Sequence, residues 1–163
     1  NLISGEIDNG LQLVENRLFK YSISLPINWK IYYIISDEKT PINVRFYYYD
    51  YEGPFEYPEW EISIDSSNEL GITEPIDMWF SADENIFNKY YSLIKASVAS
   101  YSGYKMVPHN NGQREGPPEP IVYIISHKEK IYTISTGVSE SKNNTDKFER
   151  QYNQILSTFK FFD

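Results

Sequence analysis

The stretch FKYSISLPINWKIYYIIS, residues 19–36, decides the predicted fold, because it contains two consecutive strands separated by a proline. Its first half alternates apolar side chains with lysine and serine, the apolar members being Phe19, Tyr21, Ile23 and Leu25. A period of two is typical of a strand that buries one face. Pro26 has no N–H group to donate, so it is expected to end this strand.

The second half of the stretch predicts another strand at residues 30–36. Its apolar run from Ile31 to Ile35 does not alternate, which is typical of a strand covered on both faces. Further strands are predicted from β-branched and aromatic residues at 43–51, 60–65, 104–107, 121–127 and 130–137. The last two are joined by a tight turn at Lys128-Glu129, which predicts a hairpin.

Residues 75–100 show a helical period. Apolar side chains recur there at steps of three and four, namely Ile76, Trp79, Phe80, Phe87, Tyr90, Tyr91, Ile94 and Val98. This spacing predicts an amphipathic helix that begins at Pro75, that residues 81–84 can divide in two, and that ends at Ser102-Gly103. A second helix is predicted from Asp146 onward, and residues 158–162 follow it as a short strand or helix tail.

The length of 163 residues, or 19.2 kDa, predicts a single domain at 17–163. The polar residues 1–16 are predicted to be an N-terminal tail or tether, although Leu11 and Leu13 are also compatible with a short strand. The chain has no cysteine, which excludes disulfides, thiolate metal sites and a cysteine nucleophile. Because the chain begins at Asn1, we expect a trimmed or processed protein.

The net charge of -8 limits the classes of partner. Binding to nucleic acid requires clustered lysine and arginine, and so does adsorption to anionic lipid, so neither is expected. No apolar run approaches the length of a membrane span, so no transmembrane segment is predicted. The aromatic content of 17%, with 15 tyrosines, indicates a folded chain.

Two local motifs resemble the PsbP/Mog1-like fold family. Residues 21–29, YSISLPINW, are similar to the opening "GFSF-x-YP-x-x-W" of that family, and residues 148–161, FERQYNQILSTFKF, are similar to its closing "F-x-x-I-L-x-S-F-K-F". The glycine that usually precedes the first strand is replaced by Lys20. Element order extends the resemblance over residues 17–162, and the motifs themselves are packing motifs.

The resemblance implies an α+β fold, an α/β/α sandwich with a central, mostly antiparallel sheet flanked by helices. Bacterial members of the family are often envelope lipoproteins or secreted domains. Plant members help to assemble the oxygen-evolving machinery, and Mog1 acts on a small GTPase. Nothing in this sequence matches the residues for either role, so no site is transferred from the family.

The densest candidate for a binding surface is residues 46–60, where aromatic side chains alternate with Asp and Glu. In a strand, the aromatic residues of this stretch would occupy both faces. Either both faces of the sheet are covered, or one row of tyrosines is a recognition surface. Residues 108–120, with four prolines and two glycines, are a second candidate contact or a connector. The predicted binding residues are Tyr47, Tyr49, Tyr51, Tyr57, Trp60 and His109.

Candidate catalytic and metal sites are weaker. His109 and His127 make a poor zinc site without cysteine, and the segment 65–76 lacks the glycine and the final acidic ligand of a calcium loop. Carboxylate pairs occur at Asp50/Glu52, Glu59/Glu61 and Asp83/Glu84. A glycosidase needs two carboxylates at a set separation, which the sequence cannot show. We therefore predict no catalytic residue, no metal and no cofactor.

The sequence is thus interpreted as a non-enzymatic, extracytoplasmic binding or assembly module that is attached to the cell envelope or secreted. The attachment would be through a lipid at the N-terminus of the protein. Its partner would be a protein or an envelope component. A carbohydrate-active hydrolase that uses a carboxylate pair is the alternative from a different class. A self-associating structural subunit is a third, and the oligomeric state is not predicted.

Overall fold

A computed structural model describes most of the chain, namely residues 2–8, 10–34, 43–48, 60–66, 68, 70–82, 85–109, 121–138 and 145–163. Eleven strands lie in these ranges: β1 Leu2–Asp8, β2 Leu11–Asn16, β3 Tyr21–Pro26, β4 Lys30–Ile34, β5 Asn43–Tyr48, β6 Trp60–Asp65, β7 Tyr91–Val98, β8 Tyr101–Pro108, β9 Ile121–His127, β10 Lys130–Val138 and β11 Lys160–Phe161. The helices are α1 Ile76–Ser81, α2 Thr145–Ser157 and the 3-10 helix Ile86–Lys89.

The strands form two antiparallel sheets. The small sheet has the order β1-β2-β3-β11, and the large sheet has the order β4-β5-β6-β10-β9-β8-β7. The predicted α+β class with mostly antiparallel sheet is confirmed. The described strands lie in two hydrogen-bonded sheets, because the chain leaves the small sheet after β3 and starts the large one at β4. The sandwich with helices on both sides stays a prediction.

The described part of residues 1–16 is strand where the sequence predicted a tail or tether. β1 and β2 form a hairpin around Gly10, whose φ of 77° is one that glycine adopts without steric cost. Val14 of β2 lies opposite Ile23 of β3 and is fully buried. The predicted boundary after residue 16 therefore falls between two paired strands. That residues 17–163 form a single domain stays a prediction.

The stretch at residues 19–29 supplies much of the main core. Its alternating residues Phe19, Tyr21, Ile23 and Leu25 are all buried, as predicted. Trp29 re-enters the core beyond Pro26 and contacts Tyr152 of α2 edge to face, with ring centroids 6.4 Å apart. Side chains from both sheets and from α2 join this cluster. The two sheets and the last helix thus share one core.

The large sheet carries a second core on its other face. Ile124 and Ile125 are adjacent on β9 and both are buried, but they belong to different apolar clusters. Successive side chains of a strand point to opposite faces, so the two clusters lie on opposite sides of the sheet. Residues from 70–91, including Ile72 and Ile76, complete the second cluster. This segment therefore covers the face that the small sheet and α2 leave open.

The helix predicted over residues 75–100, divisible at residues 81–84, is confirmed only at its start, as α1, and is wrong for residues 91–98, which are strand. α1 has six residues and ends where Ala82 becomes extended, with φ −61° and ψ 139°. The 3-10 helix and β7 follow, and β7 pairs with β8 through a turn at Ala99. The apolar residues of β7 also fit a period of two, since Tyr91 and Leu93 lie on the face of the second core. Both periods fit this segment, and tertiary packing selected the strand.

Gly103 was expected to end a helix, but it lies inside β8. A Cβ atom at this position would lie 2.2 Å from the carbonyl oxygen of Ile124 on β9. The glycine therefore permits close approach of two paired strands. The predicted hairpin of β9 and β10 is confirmed, with Lys128 and Glu129 at φ 47° and 64°, the left-handed conformations of a two-residue hairpin turn.

Candidate functional site

The structure describes the predicted binding residues only in part. Tyr49, Tyr51 and Tyr57 lie outside the described residues, as do residues 110–120 of the second candidate loop. The backbone of Tyr47 is in β5, in register with Lys30 and Glu61, and Trp60 begins β6. Whether these aromatic side chains form a recognition surface stays a prediction.

His109 is not brought near Tyr47 and Trp60. It follows β8, is exposed, and donates its backbone N–H to the carbonyl oxygen of Tyr90 at 2.8 Å. In the large sheet, β10 and β9 separate β8 from β6. Phe46 belongs to residues 46–60, which we call the aromatic stretch, and it is fully buried in the main core. His109 therefore lies on a different part of the sheet from the backbones of Tyr47 and Trp60, and Phe46 belongs to the core.

His127 and the tyrosines with a raised pKa take part in packing contacts. His127 stacks on Phe161 with ring centroids 4.0 Å apart and an interplanar angle of 2°. Burial raises the pKa of Tyr21 and Tyr152 well above the ordinary value, and both belong to the main core.

Within the described ranges there is no group of three His, Cys, Asp or Glu residues able to hold a metal ion. No helix in these same ranges has the length and apolarity to cross a membrane.

A pocket of about 270 Å³ lies where α1 meets the 3-10 helix, and we call it the aromatic pocket. Its described lining residues are Leu70, Glu74, Trp79, Ala82, Asn85, Ile86 and Phe87. Residues from three consecutive local structures form it: a turn after β6, the short helix α1, and the 3-10 helix. The pocket therefore depends on how the 25 residues between β6 and β7 are held in place.

Asn68 organises the turn before α1. Its side-chain amide donates to the carbonyl oxygen of Ile72 at 2.7 Å, and its side-chain oxygen accepts from the N–H of Ile72 at 2.9 Å. Both Asn68 and Gly71 are left-handed, with φ of 57° and 65°. This is the local side-chain to backbone bonding that asparagine favours in turns. It fixes Ile72 in the second core and places Leu70 at the pocket.

Asn85 joins α1 to the 3-10 helix. Its side-chain amide donates to the carbonyl oxygen of Trp79 at 2.8 Å, and its side-chain oxygen accepts from the N–H of Phe87 at 2.9 Å. The residue is only 9% exposed. One side chain therefore satisfies a carbonyl group at the end of one helix and an N–H group at the start of the next.

Aromatic rings form the apolar wall of the pocket. Trp79 and Phe87 have ring centroids 5.7 Å apart at an angle of 40°, and Phe87 contacts Tyr91 of β7 at 6.4 Å. These half-buried rings pack against the second core, which includes the fully buried Met106 and Ile124. Their inner edges are thus fixed by the sheet, while the pocket leaves part of Trp79 and Phe87 accessible.

The rim of the pocket is apolar and acidic. Ile86, a lining residue, is 61% exposed, and Met78 of α1 is 58% exposed. Glu74 is exposed and is the one charged residue among the described lining residues. Exposed apolar groups beside concave aromatic surface are typical of a binding site.

Sequence reasoning missed this pocket because it assigned Trp79, Phe80 and Phe87 to the buried face of one long helix. Two signals pointed to the actual structure. Pro75 and the polar residues 81–84 leave room for a helix of about two turns only. Such a helix contains Trp79 and Phe80, which are adjacent and cannot both lie on one narrow face, so some ring surface had to remain accessible.

The comparisons with known proteins concern the whole chain. No protein-family model and no curated protein matches the sequence. The solution structure of cyanobacterial PsbP (CyanoP) from Synechocystis sp. PCC 6803 superposes with a TM-score of 0.59 at 9% identity, over 97% of this chain and 98% of that one. A crystal structure from Bacteroides thetaiotaomicron VPI-5482 gives a TM-score of 0.48 at 11% identity, over 88% of this chain and 46% of that one. The first superposition confirms what the two sequence motifs predicted: the chain has a PsbP-like fold.

Proposed function

We propose that the protein is a non-enzymatic binding or assembly module that engages a protein or cell-envelope partner. The observation that carries this proposal is the aromatic pocket, together with the exposed apolar side chains of Ile86 in its lining and of Met78 on α1. Tryptophan and other large apolar residues contribute much of the energy at protein interfaces. Accessible aromatic surface held rigidly by a sheet is suited to binding, and the fold itself is compatible with a role in assembly.

The proposed place of action is outside the cytoplasm. The motifs at residues 21–29 and 148–161 support it, because the resemblance that they carry implies bacterial proteins that are secreted or attached to the envelope as lipoproteins. Fractionation of the source cells with an antibody against the chain tests this directly. Recovery in the envelope or medium is expected, and recovery with the cytoplasmic markers would contradict it.

The aromatic stretch and the loop after β8 are proposed as a second contact region. The support is compositional: tyrosine, tryptophan and acidic residues are interspersed there, and a recognition surface is one of the two interpretations that the sequence leaves open. The residues concerned are Tyr47, Tyr49, Tyr51, Tyr57, Trp60 and His109.

A capture experiment with matched variants tests the proposed function. The purified chain is immobilised and exposed to an envelope extract of the source cells. The variant Ile86→Ser removes exposed apolar surface at the pocket, and Met78→Ser removes it on α1, whereas Leu18→Ser removes a similarly exposed apolar residue, 45% accessible, elsewhere. We expect one reproducible partner that the Leu18 variant retains and the pocket variants lose.

Two outcomes would contradict the proposal. Equal retention by all three variants would show that the pocket surface does not bind, and the double variant Tyr49→Ala/Tyr57→Ala would then test the second region. Turnover of a glycan by the wild-type chain, lost on Glu→Gln substitution in a carboxylate pair, would favour the hydrolase instead.

A further inference from the structure

The aromatic pocket has a size, a wall and a charge that together specify an occupant. Building on the proposed function, we infer that it is a subsite for one basic side chain, arginine or lysine, presented by the protein partner. The argument rests on three properties of the described residues: the pocket volume, the ring surfaces of Trp79 and Phe87, and the carboxylate of Glu74.

The volume points to a single side chain. At about 270 Å³ the pocket lies below the range of roughly 300–1,000 Å³ that is usual for sites that enclose a drug-sized ligand or cofactor. One long side chain of a bound protein is of the right scale. Such a side chain would enter past Ile86, whose exposed surface flanks the opening.

The wall of the pocket suits a cation on a methylene stem. Trp79 and Phe87 both line the pocket, and their ring centroids lie 5.7 Å apart at an interplanar angle of 40°. A cation within about 6 Å of a ring centroid is attracted by the negative ring face, most strongly for tryptophan. Leu70 and Ala82 add apolar lining, and lysine and arginine bury their methylene stems against such surface.

Charge distinguishes a basic occupant from the alternatives. An anionic group would meet the carboxylate of Glu74 and a chain of net charge -8. A neutral apolar group would cover that carboxylate without supplying a counter-ion, which costs free energy. Asn85 offers little competing polarity, because both its amide nitrogen and its oxygen are hydrogen-bonded to backbone. A cation satisfies the rings and the carboxylate together.

Arginine is the better of the two basic side chains for this pocket. A guanidinium group is planar, stacks on aromatic rings and pairs with a carboxylate through two N–H groups, whereas an ammonium group is strongly hydrated. We therefore expect arginine to bind more tightly than lysine. Both should bind more tightly than citrulline, which has the shape of arginine and no charge.

The test is a titration of the whole chain with N-acetyl methylamides of arginine, lysine and citrulline, followed by nuclear magnetic resonance. The indole N–H of Trp79 reports the pocket, and that of Trp29, which is 2% exposed, serves as an internal reference. We expect arginine to bind about three- to tenfold more tightly than citrulline at low salt, the combined effect of ring and carboxylate contacts. The preference should shrink as salt is added.

Two variants locate the charge effect. Glu74→Gln removes the carboxylate at an exposed position and should abolish the salt-dependent part of the preference for arginine. Asp77→Asn removes an exposed carboxylate of α1 that does not appear in the pocket lining, and should leave the preference unchanged. Equal binding of arginine and citrulline, an unshifted Trp79 resonance, or equal effects of the two variants would overturn the inference. If the partner is still captured through Met78 and Ile86, the proposed function stands without this subsite.

Discussion

Replacement of Asn85 by alanine should destabilise the segment that forms the aromatic pocket. The variant removes the acceptor for the N–H of Phe87, at 2.9 Å, and the donor to the carbonyl oxygen of Trp79, at 2.8 Å. Because Asn85 is 9% exposed, water cannot readily replace both bonds. The two helix ends would each lose a hydrogen-bond partner.

The magnitude follows from these two bonds. Loss of a side-chain cap at the start of a helix costs about 1 kcal/mol of the free energy of unfolding. Among the described residues the carbonyl group of Trp79 would keep the N–H of Ala82, at 3.4 Å, and loss of its shorter bond costs roughly another 1 kcal/mol. We expect a total of about 2 kcal/mol for Asn85→Ala. Asn85→Asp, which keeps the acceptor and loses the donor, should cost less.

The assay is equilibrium unfolding in urea, read by circular dichroism, combined with amide hydrogen exchange of Phe87. Asn88→Ala is the matched control, because Asn88 lies three residues further on and makes one longer bond, 3.2 Å, to the carbonyl oxygen of Ala82. The control should lose less than about 1 kcal/mol. A loss for Asn85→Ala no greater than that of the control would refute the view that Asn85 holds the pocket together.

Two further predictions concern the sheets and the main core. Gly103→Ala should lower the free energy of unfolding by about 1–3 kcal/mol, because its Cβ would lie 2.2 Å from the Ile124 carbonyl oxygen. Gly137→Ala is the control, since the nearest atom to its Cβ would be 3.9 Å away, and it should cost less than about 1 kcal/mol in the same urea titration. Burial raises the pKa of Tyr152, so its stabilisation is complete below the unfolded-state pKa of 10.0 and is lost as pH rises above it. Tyr152→Phe should therefore weaken the fall in stability at alkaline pH, and an unchanged slope would contradict this.

Strands with a single consistent pattern were predictable from the sequence. β3 alternates apolar Tyr21, Ile23 and Leu25, all buried, with serine, and the turn at Lys128-Glu129 separates two strands by two residues, which fixes the hairpin register. In both cases local preference and tertiary packing agree. The PsbP-like fold could be inferred from motifs around these elements, because the motifs consist of core residues such as Trp29 and Phe159.

Elements whose patterns fit two structures were not predictable. Residues 91–98 satisfy both a helical and a strand period, and pairing with β8 selects the strand. The local sequence predicts that Gly103 ends a helix. The glycine is instead required by the close approach of β8 to Ile124 of β9, about 20 residues later in the chain. Val14 likewise reaches the core only because β2 pairs with β3. Local sequence does not contain these long-range contacts.

The aromatic pocket is a physical consequence of how the second face of the large sheet is covered. The chain between β6 and β7 must cover strands β7 to β10 with one helix of six residues and a 3-10 turn, and α1 itself buries only Ile76 fully. Large rings compensate for the small number of residues, since each of them covers much apolar area. They cannot all be enclosed by so short a segment, so Trp79 and Phe87 remain partly accessible. The same aromatic residues therefore stabilise the sheet and offer a surface for binding. Substitution of Trp79 would change both the stability of the protein and its binding, whereas substitution of the exposed Glu74 tests binding alone.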